Sequence, residues 1–201
     1  MNAHPDAVGS ARAALQEWSD SVLELIRDVG GRTELERLAL ERESIFFGPG
    51  SPEDIAQLEG RLHTRLPPSY VVFLSATSGL IHLGLGALLL PVSRVDLFRK
   101  LHPDEAHIVA QGGEVYPCEP SEVAPRAVAG LLSRETILDS IAVSEVASGQ
   151  FIAVIRGAVE DGAQPIAFAF DFWDVPRLYS SFLSLLSDEK ERSITALRAS
   201  A

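Results

Sequence analysis

The chain has 201 residues, of which 46% are hydrophobic and 22% charged; this balance is typical of one globular domain and excludes a disordered chain. Its formal net charge of −11 argues against a nucleic-acid partner, because phosphates would be repelled; it suits a basic protein partner, and the alternative is that it serves solubility alone. The single cysteine excludes an intrachain disulfide. The first residues lack a secretory-signal pattern, and the longest apolar stretch, residues 79–92, is too short to span a membrane, so we expect a cytoplasmic protein.

The first predicted element is an amphipathic helix over residues 11–29. The spacing of Thr33 and Glu36 predicts a capping box that opens a second helix through about Ser44. We assign residues 1–50 to an N-terminal helical extension that packs on the domain. The apolar residues of the first helix recur every three or four positions, at Leu15, Trp18, Val22, Leu25 and Val29.

Two further helices are predicted between residues 51 and 79. Ser51 and Pro52 begin the first of them, which carries an apolar stripe. Pro67 and Pro68 begin the second, and Gly79 permits a left-handed exit at its end. The apolar stripes consist of Ile55, Leu58 and Leu62, then of Tyr70, Phe73 and Leu74.

The residue pattern of the C-terminal half predicts a sheet. Strands are predicted at residues 87–92, 141–146 and 151–155, a short helix at 93–100, and mostly loop with short strands at 102–130. From Ile166 to Phe172 large apolar residues alternate with smaller ones, which predicts a strand with one buried aromatic face. Ser180 or Ser181 caps a closing helix. We therefore expect an α+β domain in which N-terminal helices pack on a mainly antiparallel, mixed sheet of about five to six strands, closed by a C-terminal helix.

Residues 51–187 resemble the SUKH superfamily, which is named in part for Smi/Knr-like cell-wall regulators of yeast. The resemblance is densest before residue 80 and continues through a glycine-containing hairpin and the closing helix. His63 and Ser78 depart from the signature, which usually has glycine and asparagine there. The matching residues, whose roles look structural, are Glu59, Leu62, Leu66, Pro67, Tyr70, Phe73, Leu74, Gly79, Gly149, Phe182 and Leu183. Residues 188–201 are interpreted as a C-terminal tail that either extends the last helix or frays.

The resemblance implies a function in protein binding. Many bacterial members are similar to immunity proteins that protect the host from a toxin, often a nuclease or a deaminase. We therefore expect an immunity protein that neutralises a cognate toxin by occlusion. A scaffold or regulatory module without a toxin partner is the alternative, in which an exposed Trp18 would be a docking element. A small-ligand binder is the least favoured reading, and the oligomeric state stays open.

No catalytic residue, metal ligand or cofactor site is predicted. His102 and His107 frame the most metal-like string, but their spacing matches no zinc motif, and the intervening Pro103 is interpreted as a helix breaker. Cys118 lacks a recognisable activating base, so we interpret it as a semi-buried structural thiol.

Partner binding is assigned to the acidic loop Glu160 and Asp161 and to the cluster Asp171, Trp173 and Asp174, since an aromatic residue with flanking carboxylates is a plausible anchor for a basic partner. The alternative is that Trp173 packs in the core and the aspartates form a turn, and that Glu160 and Asp161 form only a solvated loop tip.

Overall fold

The structure is a computed structural model that describes residues 5–81, 88–118, 126–161 and 164–200. In these ranges the helices are α1 (Pro5–Val29), α2 (Glu34–Arg42), α3 (Pro52–Leu62), α4 (Pro68–Ala76), α5 (Phe98–Leu101), α6 (Pro103–Gln111), α7 (Arg134–Leu138) and α8 (Phe182–Ser200). The strands are β1 (Asp96–Leu97), β2 (Val115–Cys118), β3 (Gly130–Ser133), β4 (Ile141–Ala142), β5 (Gln150–Val154), β6 (Ala167–Asp171) and β7 (Arg177–Tyr179).

Five of these strands form one antiparallel sheet in the order β1-β4-β5-β6-β7. Its longest pairing joins β5 to β6, with Phe151 opposite Phe170 and Ala153 opposite Phe168. β2 and β3 form a separate two-stranded sheet. Together with the preceding helices and the closing α8, this arrangement confirms the predicted α+β class.

Both faces of the five-stranded sheet are covered. On β6, Phe168 and Phe170 belong to an apolar cluster with residues of α5, α6, α7 and β3, which we call the aromatic cluster. Ala167 and Ala169 face the other way and are buried in a larger cluster that includes α1, α3, α4 and α8. The alternation along β6 therefore separates large side chains from small ones, and not buried residues from exposed ones.

The N-terminal helices belong to the larger cluster. α1 packs on α4 and α8, and it buries Leu15, Trp18, Val22 and Ile26. The expectation of an exposed Trp18 is wrong: only 2% of its surface is accessible, and its ring meets Phe46 edge to face with 5.6 Å between the centroids. Trp18 therefore stabilises the core and offers no docking surface.

The segment 102–130, predicted as mostly loop with short strands, contains the strand β2 and the start of β3, but also the helix α6, which was not predicted; its residues 119–125 lie outside the described ranges. Interpreting Pro103 as a helix breaker was wrong, because it is the first residue of α6, where its missing N–H is tolerated. The helix predicted at 93–100 begins only at Phe98. In the strand predicted at 87–92, Ala87 lies outside the described ranges and Leu89 makes isolated bridges.

The helix starts predicted in the signature segment are confirmed. Ser51 and Asp54 form a reciprocal capping box on α3. Glu59 accepts a hydrogen bond of 2.9 Å from the N–H of Leu66, which fixes the connection to α4. Gly79 does not adopt the expected left-handed conformation. Glycine is required there because a Cβ atom would lie 2.7 Å from a backbone carbonyl oxygen.

Three parts of the chain meet at the start of α8. The Ser69 hydroxyl accepts a hydrogen bond of 2.8 Å from the N–H of Phe182, and the N–H of Ser69 donates one of 2.8 Å to the Glu160 carboxylate. The Phe182 ring packs on Tyr70 and Phe73, with centroid distances of 4.6 and 5.2 Å. This junction joins α4, α8 and the connection between β5 and β6.

The segment 188–201, predicted as a tail, continues α8 as far as Ser200, and Ala201 lies outside the described ranges. Leu197 is buried in the larger cluster. The Ser193 hydroxyl is buried as well and donates a hydrogen bond within the helix. This segment is therefore part of the packed structure.

Two buried carboxylates near the middle of α8 pair with arginines. Glu189 lies 3.2 Å from Arg177, and Asp188 lies 3.2 Å from Arg126. Burial raises the pKa of Glu189, and the positive charges of Arg177 and Arg192 oppose this rise. The folded protein therefore holds the Glu189 proton more tightly than the unfolded chain does.

We expect the Glu189 carboxyl to make the protein less stable as the pH rises. A raised folded-state pKa gives a stabilising contribution that is fully present below the ordinary value of 4.5 and is lost as the pH rises through the folded-state pKa. Urea unfolding of the wild type and of Glu189→Gln between about pH 3.5 and about pH 8 checks this. The unfolding free energy of the wild type relative to the variant should fall with rising pH; a constant or rising difference would contradict the expectation.

Candidate functional site

An exposed groove of about 590 Å³ lies between the C-terminal end of α6, β2 and the turn that follows β6. We call it the α6–β6 groove. Three of its apolar side chains are strongly exposed: Trp173 at 86%, Ile108 at 56% and Val175 at 52%. Exposed apolar side chains gathered in one concavity are typical of a binding site.

Short-range hydrogen bonds hold the backbone on both sides of Trp173. The Asp171 carboxylate accepts one of 2.8 Å from the N–H of Trp173, and the Asp174 carboxylate accepts one of 2.7 Å from the N–H of Val175. The second oxygen of Asp171 accepts a hydrogen bond from the side-chain amide of Gln150 on β5. Such bonds are common for aspartate in turns, and they fix the loop that carries the indole.

The indole of Trp173 rests on the hairpin turn between β4 and β5. A Cβ atom on Gly149 would lie 2.7 Å from Trp173 Nε1. Ser148 and Gly149 have φ values of +50° and +80°, as in the tight turns that favour glycine, which confirms the predicted turn. Glycine at position 149 therefore serves both the hairpin and the placement of the indole.

We expect Gly149→Ala to displace the Trp173 indole and to lower the unfolding free energy by about 1–2 kcal/mol, because the left-handed backbone would carry a side chain. Gly157→Ala is a matched control: Gly157 has a φ of +73°, but nothing lies within 4 Å of its Cβ position. Urea unfolding and the NMR signal of the Trp173 indole N–H check both variants. If Gly157→Ala moved this signal as much as Gly149→Ala did, the indole contact would be refuted.

The opposite wall of the groove comes from α6 and β2. Ile108 faces solvent, whereas the neighbouring Val109 is buried in the aromatic cluster. Tyr116 on β2 packs edge to face on Phe170, with 5.3 Å between the centroids. Gly112 leaves room for this tyrosine, since a Cβ there would lie 2.6 Å from its hydroxyl oxygen. Both walls are therefore anchored in the same packed aromatic layer.

The electrostatic character of the groove is acidic. Of the described residues that line it, the charged ones are Asp171 and Asp174. Glu114, beside the lining residue Gly113, is also exposed. Carboxylates around apolar surface favour a basic partner, and the net charge of −11 extends this attraction beyond direct contact.

The structure brings together only part of the predicted binding residues. Asp171, Trp173 and Asp174 line the α6–β6 groove. Glu160 and Asp161 follow β5 and precede β6, so they lie at the other end of this hairpin, about 17 Å away for five strand residues. The alternative in which Trp173 packs in the core does not hold, although both aspartates do form turn hydrogen bonds.

Glu160 has a structural partner. Its carboxylate accepts the hydrogen bond from Ser69 in the first turn of α4, where a negative charge also stabilises the helix dipole. We expect Glu160→Ala to lower the unfolding free energy by about 1 kcal/mol without weakening partner binding. Asp161→Ala, which removes an exposed acceptor for the N–H of Gln164, is the comparison. Thermal unfolding checks this prediction, and equal stability of both variants would contradict it.

The residues that resembled a metal site or a nucleophile have local partners. The Nε2 atom of His102 lies 3.0 Å from the carbonyl oxygen of Ser144, and that of His107 lies 2.8 Å from the Gln111 amide nitrogen. Cys118 is buried, and burial raises its pKa to about 11, so the thiol stays protonated at neutral pH. Among the described residues, no three His, Cys, Asp or Glu side chains are grouped as metal ligands would be.

The sequence interpretation missed the α6 wall, including Ile108 and Tyr116, because the segment was taken for a loop. The sequence did contain one signal for the start of helix α6. Pro103 is followed by two carboxylates, which is the same pattern that correctly predicted α3 from Pro52 onward.

No protein-family model matches the chain, and no curated protein shows significant similarity to it. No helix in the described parts of the chain combines the length and the apolar character needed to cross a bilayer. What bears on the function is therefore the groove with its lining residues, together with the sequence resemblance of residues 51–187.

Proposed function

We propose that the chain is a non-catalytic protein-binding domain that receives a basic surface of its partner at the α6–β6 groove. The observation that carries the proposal is Trp173, whose side chain is 86% exposed in an apolar groove. Exposing so large an apolar side chain to water is unfavourable, and a partner that covers it gains the corresponding free energy. Tryptophan is also among the residues that most often dominate the energy of protein interfaces.

The indole is prepared for binding before the partner arrives. The turn hydrogen bonds of Asp171 and Asp174 fix the backbone around it, and Gly149 supports its edge. A backbone that is already fixed loses little conformational freedom on association, so more of the contact energy contributes to affinity.

The groups in the groove favour binding over catalysis. Covalent catalysis requires a nucleophile that is activated by a neighbouring base. The ionisable side chains among the described lining residues are Asp171, Asp174 and Tyr116, and both aspartates already accept backbone hydrogen bonds. We therefore assign no reaction and no cofactor to this site.

The partner that we propose is a toxin domain of the nuclease or deaminase type, neutralised by occlusion in the cytoplasm. The support is the resemblance of residues 51–187 to the SUKH superfamily together with the acidic groove. An enzyme that acts on nucleic acid needs a basic substrate cleft. An acidic protein that covers this cleft is steered towards it and excludes the substrate.

The experiment is a pull-down from the host lysate with three baits: the wild type, Ile108→Arg and Val159→Arg. Both variants add the same charge at an exposed apolar position, but Ile108 lines the groove and Val159, 72% exposed, does not. A partner that uses the groove should be captured by the wild type and by Val159→Arg and lost from Ile108→Arg.

The captured protein also decides between the two readings of the function. A protein with a basic, growth-inhibiting domain, whose toxicity is suppressed by co-expression of this chain, would establish neutralisation. A groove-dependent host protein without toxicity would establish the scaffold alternative. Equal capture by all three baits would show that the groove is not the binding site.

A further inference from the structure

We propose that the α6–β6 groove recognises a single arginine side chain of the partner. The inference rests on the proposed function, because it names the chemical group that the partner inserts. Three features of the groove support it: the aromatic rings, the two carboxylates of Asp171 and Asp174, and the flanking aliphatic side chains.

Four aromatic residues line the groove: Tyr116, Phe170, Phe172 and Trp173. Phe170 contacts Tyr116 and Phe172 edge to face, with centroid distances of 5.3 and 5.2 Å, so the rings have fixed orientations. The face of an aromatic ring attracts a cation, and an indole does so most strongly. Trp173 is the ring that remains open to such a cation, since its side chain is exposed.

The carboxylates of Asp171 and Asp174 flank this indole along the chain. Asp171 accepts hydrogen bonds from Trp173 and Gln150, and Asp174 accepts one from Val175. An ionised carboxylate has about four acceptor positions, so each retains capacity for a partner's donors. A guanidinium group fits this combination, because it is planar, stacks on aromatic rings and donates paired hydrogen bonds to carboxylates.

The aliphatic side chains explain why arginine is favoured over a small guanidinium compound. Ile108 and Val175 are exposed at the groove and offer apolar surface to the three methylene groups of an arginine. A lysine would place a compact and strongly hydrated ammonium group beside the same rings, which loses more hydration energy on binding.

The test uses the full chain and its two tryptophans. Trp173 is exposed and Trp18 is buried, so their indole N–H signals in NMR spectra provide a probe and an internal reference. The protein is titrated with the peptide acetyl-Gly-Arg-Gly-amide and with the same peptide carrying lysine or citrulline. Citrulline has nearly the shape of arginine without its charge. The Trp173→Phe variant assigns the two signals.

We expect the arginine peptide to shift the Trp173 signal saturably, with a dissociation constant on the order of 1–10 mM, and to leave the Trp18 signal in place. The lysine peptide should bind about threefold more weakly or worse, and citrulline should produce no saturable shift. Asp174→Asn should weaken the arginine peptide, whereas Asp161→Asn, outside the groove, should not.

Equal shifts with arginine and citrulline would overturn the inference, because the contact would then be apolar only. Lysine binding as tightly as arginine would overturn the assignment to a guanidinium group, as would the lack of any Trp173 shift up to about 50 mM peptide. A partner that is captured through the groove while the arginine peptide fails would leave the proposed function standing and remove this inference alone.

Discussion

Replacing Trp173 by alanine is expected to weaken binding of the captured partner roughly 30- to 1,000-fold, or about 2–4 kcal/mol. The reason is that the indole is 86% exposed in the free protein and would be covered in the complex. The same exposure means that the folded state depends little on it, so the unfolding free energy should change by less than about 0.5 kcal/mol. Isothermal titration calorimetry and urea unfolding measure the two quantities separately.

Val159→Ala is the matched control for Trp173→Ala. Val159 is another exposed apolar residue, at 72%, but it lies in the connection between β5 and β6 and outside the groove. Its affinity for the partner should equal that of the wild type. Raising the salt from about 0.05 to about 0.5 M should slow association of both variants alike, because the carboxylates and not the indole steer the encounter. Wild-type affinity in Trp173→Ala would refute the groove as the binding site.

Phe182→Ala should produce the largest loss of stability, about 3–5 kcal/mol in the free energy of unfolding. Its ring is fully buried between Tyr70 and Phe73, and its N–H is held by the Ser69 hydroxyl. Removing the ring leaves a cavity where α4 and α8 meet, and the surrounding residues can fill it only in part. Urea unfolding followed by circular dichroism measures the loss.

Leu183→Ala, at the next position of the same helix, is the control for Phe182→Ala. It introduces the same alanine into the helix without removing a buried ring. Leu183 is 40% exposed, so its replacement should cost less than about 1 kcal/mol. If Phe182→Ala does not fold, Phe182→Leu keeps most of the volume and should lose about 1–1.5 kcal/mol. Similar losses for Phe182→Ala and Leu183→Ala would contradict the role of the buried junction.

The features that the sequence predicted correctly are those fixed by residues close together in the chain. The capping box of Thr33 and Glu36, the turn at Gly149 and the start of α8 at Ser181 all depend on neighbours within four positions. Asp171, Trp173 and Asp174 line the groove together for the same local reason, because they lie within four positions at the end of β6. Local chemistry was sufficient in each case.

The features that it did not predict depend on contacts between distant segments. Trp18 lies on an amphipathic helix, but only the packing of α1 on α4 and α8 buries it. Gly79 is required by the approach of the Leu89 backbone and not by its own conformation. The α6 wall was missed for a local reason, since Pro103 was taken to break the helix that it begins. Glu160 looked like a solvated loop residue until the structure placed it beside Ser69.

The packing of α1 on α8 has a consequence for synthesis of the chain. α1 ends at residue 29 and α8 begins at residue 182, yet Glu17 lies 3.6 Å from Lys190, and Leu15 and Leu197 belong to the same cluster. α4 can cover part of the apolar face of α1 earlier, but the nascent chain cannot cover all of it until the segment that forms α8 has left the ribosome. Chains with such distant contacts fold slowly and expose apolar surface while they do so. Complete folding should wait until the segment that forms α8 has emerged, and the α1 face is a surface on which a chaperone would act until then.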